Sequence, residues 1–70
     1  MTPDIHPSAV IEEGAVIGAG CVVGPFCVVG PEVVLGDNVT LRSHVVITGD
    51  TQVGEGSTLF SFAVVGEVPQ

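Results

Sequence analysis

The sequence predicts an all-β fold: a parallel β-helix in which short strands wind into a solenoid, with no α-helix. Three observations predict it. Every sixth residue from Ile5 to Val65 is aliphatic, without insertion: Ile5, Ile11, Ile17, Val23, Val29, Leu35, Leu41, Ile47, Val53, Leu59 and Val65. The residue two places earlier is usually small, from Ala9, Ala15, Cys21 and Cys27 through Val33, Val39 and Val45 to Thr51, Ser57 and Ala63. The residue after the aliphatic is often glycine (Gly18, Gly24, Gly30, Gly36, Gly54, Gly66), and proline follows in Gly24-Pro25 and Gly30-Pro31. So short and regular a repeat means that each unit buries its apolar side only against its neighbours.

Each element follows from this pattern. Residues 1–4 precede the first aliphatic and are expected to form a loose N-terminal tail. From Ile5 on, small and aliphatic residues two apart lie on one side of a strand, and the residue between them points out. Ala9-Val10-Ile11 is the first complete instance, followed by Ala15-Val16-Ile17 and Cys21-Val22-Val23. Glycine and proline then turn the chain, so each six-residue unit is a strand plus a corner. Three units close one triangular coil, and residues 18 apart should form sensible columns. Gly20, Asn38 and Gly56 do, since these residue types tolerate the positive φ of a type II turn. Gly18, Gly36 and Gly54 form another column, and Phe26, His44 and Phe62 a third that reads as a ring ladder. Residues 5–70 make about 3.7 such coils, a single domain with no linker.

Composition fits a thin aliphatic core. Apolar residues make up 46% of the chain, yet there is no Trp or Tyr and only 3 Phe. Arg42 is the only Lys or Arg against 8 carboxylates, and the net charge is −7. That argues against binding nucleic acid or an anionic membrane through charge. Residues 1–4 have no cationic start and no apolar run follows, so no signal peptide is expected. Glycine, proline or charge breaks every apolar stretch, so no membrane insertion is expected. Cys21 and Cys27 sit in the small-residue column and read as buried free thiols of a cytosolic protein, too few ligands for a structural zinc.

One outward column is apolar throughout: Val10, Val28, Val46 and Val64. The equivalent columns on the other two faces, Val16-Val34-Gln52-Gln70 and Val22-Thr40-Thr58, are more polar. A continuous apolar stripe flanked by Phe26, His44 and Phe62 predicts an interface with further copies of the chain, and a three-sided prism with one such face suits a cyclic trimer. Strand preference of β-branched residues is the plainer explanation of the same valines. His44 is expected to stack between Phe26 and Phe62 and not to act as a base. His6, before Pro7, is expected to be a terminal surface residue. Arg42 is expected in a solvated or subunit-bridging ion pair. Glu12 and Glu13 are adjacent, diverge, and read as solvated. The glycines recur at corners and build no phosphate-cradling loop before a helix.

The pattern aliphatic–Gly–x–x–small–x resembles the hexapeptide-repeat acyltransferase superfamily from Ile5 onward. More specific segments are Ile5-His6-Pro7-Ser8-Ala9, Gly24-Pro25-Phe26-Cys27, Leu41-Arg42-Ser43-His44-Val45-Val46 and Phe62-Ala63-Val64-Val65-Gly66-Glu67-Val68-Pro69-Gln70. Together they resemble the start of the bacterial UDP-N-acetylglucosamine O-acyltransferases of lipid A biosynthesis. That resemblance implies a left-handed coil, against the usual right-handed crossover, followed by a small helical domain. It implies a cytoplasmic homotrimer with active sites between subunits. The reaction implied moves a 3-hydroxyacyl group from acyl carrier protein to the glucosamine 3-hydroxyl, with a histidine as general base and no metal or bound cofactor. In the family that histidine lies downstream of the matched segment, and the final glutamine is followed by an Asp-Leu-Lys stretch that contacts substrate. Gln70 is thus the one substrate-binding candidate, no catalytic residue is expected within these 70 residues, and they are expected to be inactive alone. Two alternatives stay open: another hexapeptide transferase, such as a sugar acetyltransferase using acetyl-CoA, and a non-catalytic structural solenoid. An ice binder needs flat rows of threonine, which Val22 breaks beside Thr40 and Thr58. A β-helical carbonic anhydrase needs a third zinc-binding histidine.

Overall fold

The computed structural model describes residues 2–66. Its 11 two-residue strands are β1 (Asp4–Ile5), β2 (Val10–Ile11), β3 (Val16–Ile17), β4 (Val22–Val23), β5 (Val28–Val29), β6 (Val34–Leu35), β7 (Thr40–Leu41), β8 (Val46–Ile47), β9 (Gln52–Val53), β10 (Thr58–Leu59) and β11 (Val64–Val65). No helix occurs among the described residues. The strands are all parallel and form three sheets, β1-β4-β7-β10, β2-β5-β8-β11 and β3-β6-β9, here called the first, second and third. The chain visits them in turn, which makes a left-handed parallel β-helix.

The register is the 18-residue column of the sequence: Val10 pairs with Val28, Val28 with Val46, and Val46 with Val64. Backbone bonds hold successive coils together, such as Val10 N–H to the Cys27 carbonyl at 2.8 Å. The pairing begins one residue earlier than the expected tail boundary. Asp4 lies in β1, and its N–H donates to the Cys21 carbonyl at 2.8 Å. A strand needs only a partner edge, and the coil above supplies one before the aliphatic repeat starts.

The core is the inside of the prism. Cys21, Val23, Cys27, Val29, Val33, Leu35, Val39, Leu41, Val45 and Ile47 are fully enclosed. They are the small and aliphatic columns of the middle coils. Ile11, Ile17, Val53, Leu59 and Val65 pack against them but are only partly covered, because an end coil has a neighbour on one side only. Both thiols are free; Cys21 Sγ–H donates to the Gly36 carbonyl at 3.1 Å and Cys27 Sγ–H to the Arg42 carbonyl at 2.7 Å. The glycine column marks a close approach, since a Cβ on Gly18 would stand 2.6 Å from the Gly36 carbonyl carbon.

The corners follow two rules. At the third corner, Gly20, Asn38 and Gly56 have φ of 73°, 59° and 77°, as the sequence predicts. At the first corner, between the first and second sheets, Phe26, His44 and Phe62 also have positive φ, of 59°, 59° and 67°. Bulky residues avoid this region, so their residue types do not announce it. Each turn is held by the turn one coil below. The His44 N–H donates to the Pro25 carbonyl at 3.0 Å and the Asn38 N–H to the Ala19 carbonyl at 2.9 Å. The stacked turns over-determine the conformation and hold the strain.

Candidate functional site

The first corner gathers the chain's unusual side chains. It comprises residues 6–9, 24–27, 42–45 and 60–63 at successive heights along the coil. Every Phe, both His and the only Arg fall there, and no carboxylate does. Phe26 and His44 rings lie 5.1 Å apart at 31°, and His44 and Phe62 rings lie 5.2 Å apart at 22°. The left-handed backbone at these three residues directs each ring outward along the edge, one above another. The expected ladder is therefore present, and His44 is its middle rung. Phe62 is 77% exposed and Phe60 64%, so these rings are surface.

Arg42 lies over the Phe60 ring, with its guanidinium carbon 5.6 Å from the centroid. This is a cation–π contact. The Ser43 and Ser61 hydroxyls stand 3.1 Å apart beside it. His6 does more than a bare surface residue. Its Nδ1 accepts the Ser8 N–H at 3.1 Å and the Ser8 O–H at 2.8 Å, which places its own proton on Nε2. Ser8 Oγ in turn accepts the Phe26 N–H at 3.0 Å.

The second sheet leads away from this edge and carries the valine column. Val10 is 52% exposed and Val64 56%, while Val28 and Val46 are half-buried. Exposed valines are not confined to it, since Val16 is 54% exposed and Val22 42% on the other two sheets. Only the second sheet stays apolar through every described coil; its neighbours turn to Gln52 and to Thr40 and Thr58. Gln70, the substrate-contact candidate, lies outside the described residues.

Among the described residues no polar or charged side chain is buried, and no group of three or more His, Cys, Asp or Glu is placed to hold a metal. Glu12 and Glu13 are exposed. A shallow recess at the N-terminal end is lined by Asp4, His6 and Val22–Gly24. The described arrangement is an exposed aromatic and cationic edge beside an apolar sheet.

Residues 5–31 and 14–49 match the family described as bacterial transferase hexapeptide (six repeats), and the chain belongs to that family of six-residue-repeat transferases. Within it the similarity is to UDP-N-acetylglucosamine acyltransferases. The acyl-(acyl-carrier-protein)–UDP-N-acetylglucosamine O-acyltransferase of Rickettsia canadensis (strain McKiel) is 54% identical over 67 residues, 96% of this chain and 25% of that protein. The solved Arabidopsis UDP-N-acetylglucosamine acyltransferase superposes with a TM-score of 0.87 at 47% identity, over 89% of this chain and 22% of that one. A second solved UDP-N-acetylglucosamine acyltransferase gives 0.93 at 40% identity, over 96% and 26%. The chain thus spans about a quarter of the length of the curated relative it matches.

Proposed function

We propose that this chain is the β-helical portion of an O-acyltransferase that moves a 3-hydroxyacyl group from acyl carrier protein to the 3-hydroxyl of UDP-N-acetylglucosamine. The observation that carries the reading is the 54% identity over 67 residues to the Rickettsia enzyme. A shared six-residue period fixes only about a third of the positions, so identity at this level reaches beyond the scaffold. In this reading the enzyme is cytoplasmic and homotrimeric, assembles through the second sheet and the Phe26–His44–Phe62 edge, and uses no metal or cofactor.

The chemistry sets what the chain contributes. A sugar hydroxyl that attacks an acyl carbonyl must give its proton to a base. His44 is held in a ring stack and His6 caps a corner through Nδ1. Neither faces an enclosed site among the described residues, which supports a scaffold and subunit-contact role for both.

The test is a chimera in which this chain replaces the aligned segment of the Rickettsia enzyme. Acyl transfer to UDP-N-acetylglucosamine at a rate within about tenfold of the parent is the expected result. A folded chimera of unchanged oligomeric state that transfers nothing overturns the reading. The 70-residue chain alone is expected to form no acylated product.

A further inference from the structure

The charged and aromatic side chains are sorted between the corners. The first corner carries every ring and Arg42, and no carboxylate. The second corner, between the second and third sheets, carries Glu12, Glu13, Glu32 and Asp50, and no cation. These two corners flank the same sheet, the valine-faced second sheet, and strand β8 separates Arg42 from Asp50 within one coil. Both are exposed.

Resting on the trimer reading above, we propose that the sorting is an interlock between copies: the aromatic, cationic edge of one subunit seats against the acidic corner of the next, with Arg42 paired to Asp50 across the contact. The geometry follows from the fold. Turning the second sheet toward a threefold axis parallel to the coil sets the first corner of each prism beside the second corner of its neighbour. Such an interface is heterologous and closes into a ring. Rotation about that axis leaves height unchanged, so residues of the same coil meet.

Height and column together decide which residues pair. In the third coil Arg42 opposes Asp50, and the same two columns set Gly24 against Glu32 in the second coil and His6 against Gly14 in the first. The third coil is therefore the height at which these columns set a cation against an anion. The Phe60 ring supports the Arg42 side chain from above and limits the freedom it loses on pairing. Arg42 is the only Lys or Arg in a chain of net charge −7, so identical copies need it to offset their mutual repulsion.

The experiment is a charge swap on the full chain, read as the trimer–monomer midpoint concentration in analytical ultracentrifugation, with circular dichroism as the check of folding. Arg42→Glu and Asp50→Arg are each expected to raise the midpoint about tenfold, and the double variant to return it to within about twofold of the native value. Arg42→Gln and Asp50→Asn, milder at the same positions, stand in if a reversal disturbs the corner. A native trimer whose midpoint ignores the single changes, or which the double change does not restore, overturns the interlock and leaves the trimer reading standing. A native chain that stays monomeric, or stops at a dimer, overturns the trimer reading and the interlock with it.

Discussion

The Ser8 hydroxyl accepts the Phe26 backbone N–H at 3.0 Å and so does for the lowest rung of the first corner what the Pro25 carbonyl does for His44 one coil higher. The turn below Phe26 offers a side chain where every later turn offers a carbonyl. His6 fixes that side chain by accepting its proton at 2.8 Å. A hydrogen bond of this kind contributes about 1 kcal/mol net. Ser8→Ala is therefore expected to lower unfolding free energy by about 1 kcal/mol in urea. Thr at this position keeps the oxygen and is expected to cost less. An unchanged midpoint for Ser8→Ala would show that the corner stack needs no cap.

The left-handed backbone at His44 reverses an ordinary mutational order. In extended or helical segments alanine is favoured over glycine. At φ of 59° the Cβ meets the following carbonyl, which costs roughly 1–2 kcal/mol. His44→Ala and His44→Gly both remove the ring, so their difference isolates the backbone. His44→Gly is expected to be the more stable of the two by about 1 kcal/mol in chemical denaturation. Equal stabilities would mean that this corner relaxes to another turn once the ring is gone.

The period made the fold legible. Aliphatic residues every six positions located all 11 strands, and spacing by 18 located the columns that became the register. The Gly20-Asn38-Gly56 corner was legible because its residue types announce positive φ. The first corner was not, because Phe and His carry no such signal and take the conformation only when the turns below hold them there. The ring ladder was visible as a column. The Ser8–His6 cap was not, because it depends on the first coil having no turn beneath it. The Arg42 contact with Phe60 was not legible, because spacing by 18 places the two residues one above the other without showing that the long Arg42 side chain lies over the ring.

The two thiols report on the core. Cys21 and Cys27 have no exposed surface and donate to carbonyls of the coil above. A buried thiol in apolar surroundings reacts only when the structure opens. In native buffer both are expected to resist a bulky disulfide reagent and to react at the rate of global unfolding. Fast labelling of Cys21 before Cys27 would identify the first two coils as an independently opening unit. Ile47→Ala, at the centre of the same core, is expected to cost about 2–5 kcal/mol, a large share of the stability of a domain this small, and to bring the labelling of both thiols forward together.

The valine column of the second sheet separates strand preference from assembly. β-branched residues suit any strand, and Val16 and Val22 show that exposed valines occur on the other sheets as well. If preference alone explains the column, an exposed position on any sheet tolerates glutamate equally. If the second sheet meets other copies, a carboxylate at Val28 or Val46 is desolvated without a partner at the interface, while glutamate at Val16 stays in water. Val28→Glu and Val46→Glu are therefore expected to give folded monomers by light scattering, and Val16→Glu to keep the native oligomer. Glutamate weakens strands slightly everywhere, about 1 kcal/mol at most, so all three variants should unfold at similar denaturant concentrations when measured as monomers. Dissociation by all three alike would assign the effect to the strands, and dissociation by Val28→Glu and Val46→Glu alone assigns it to the face.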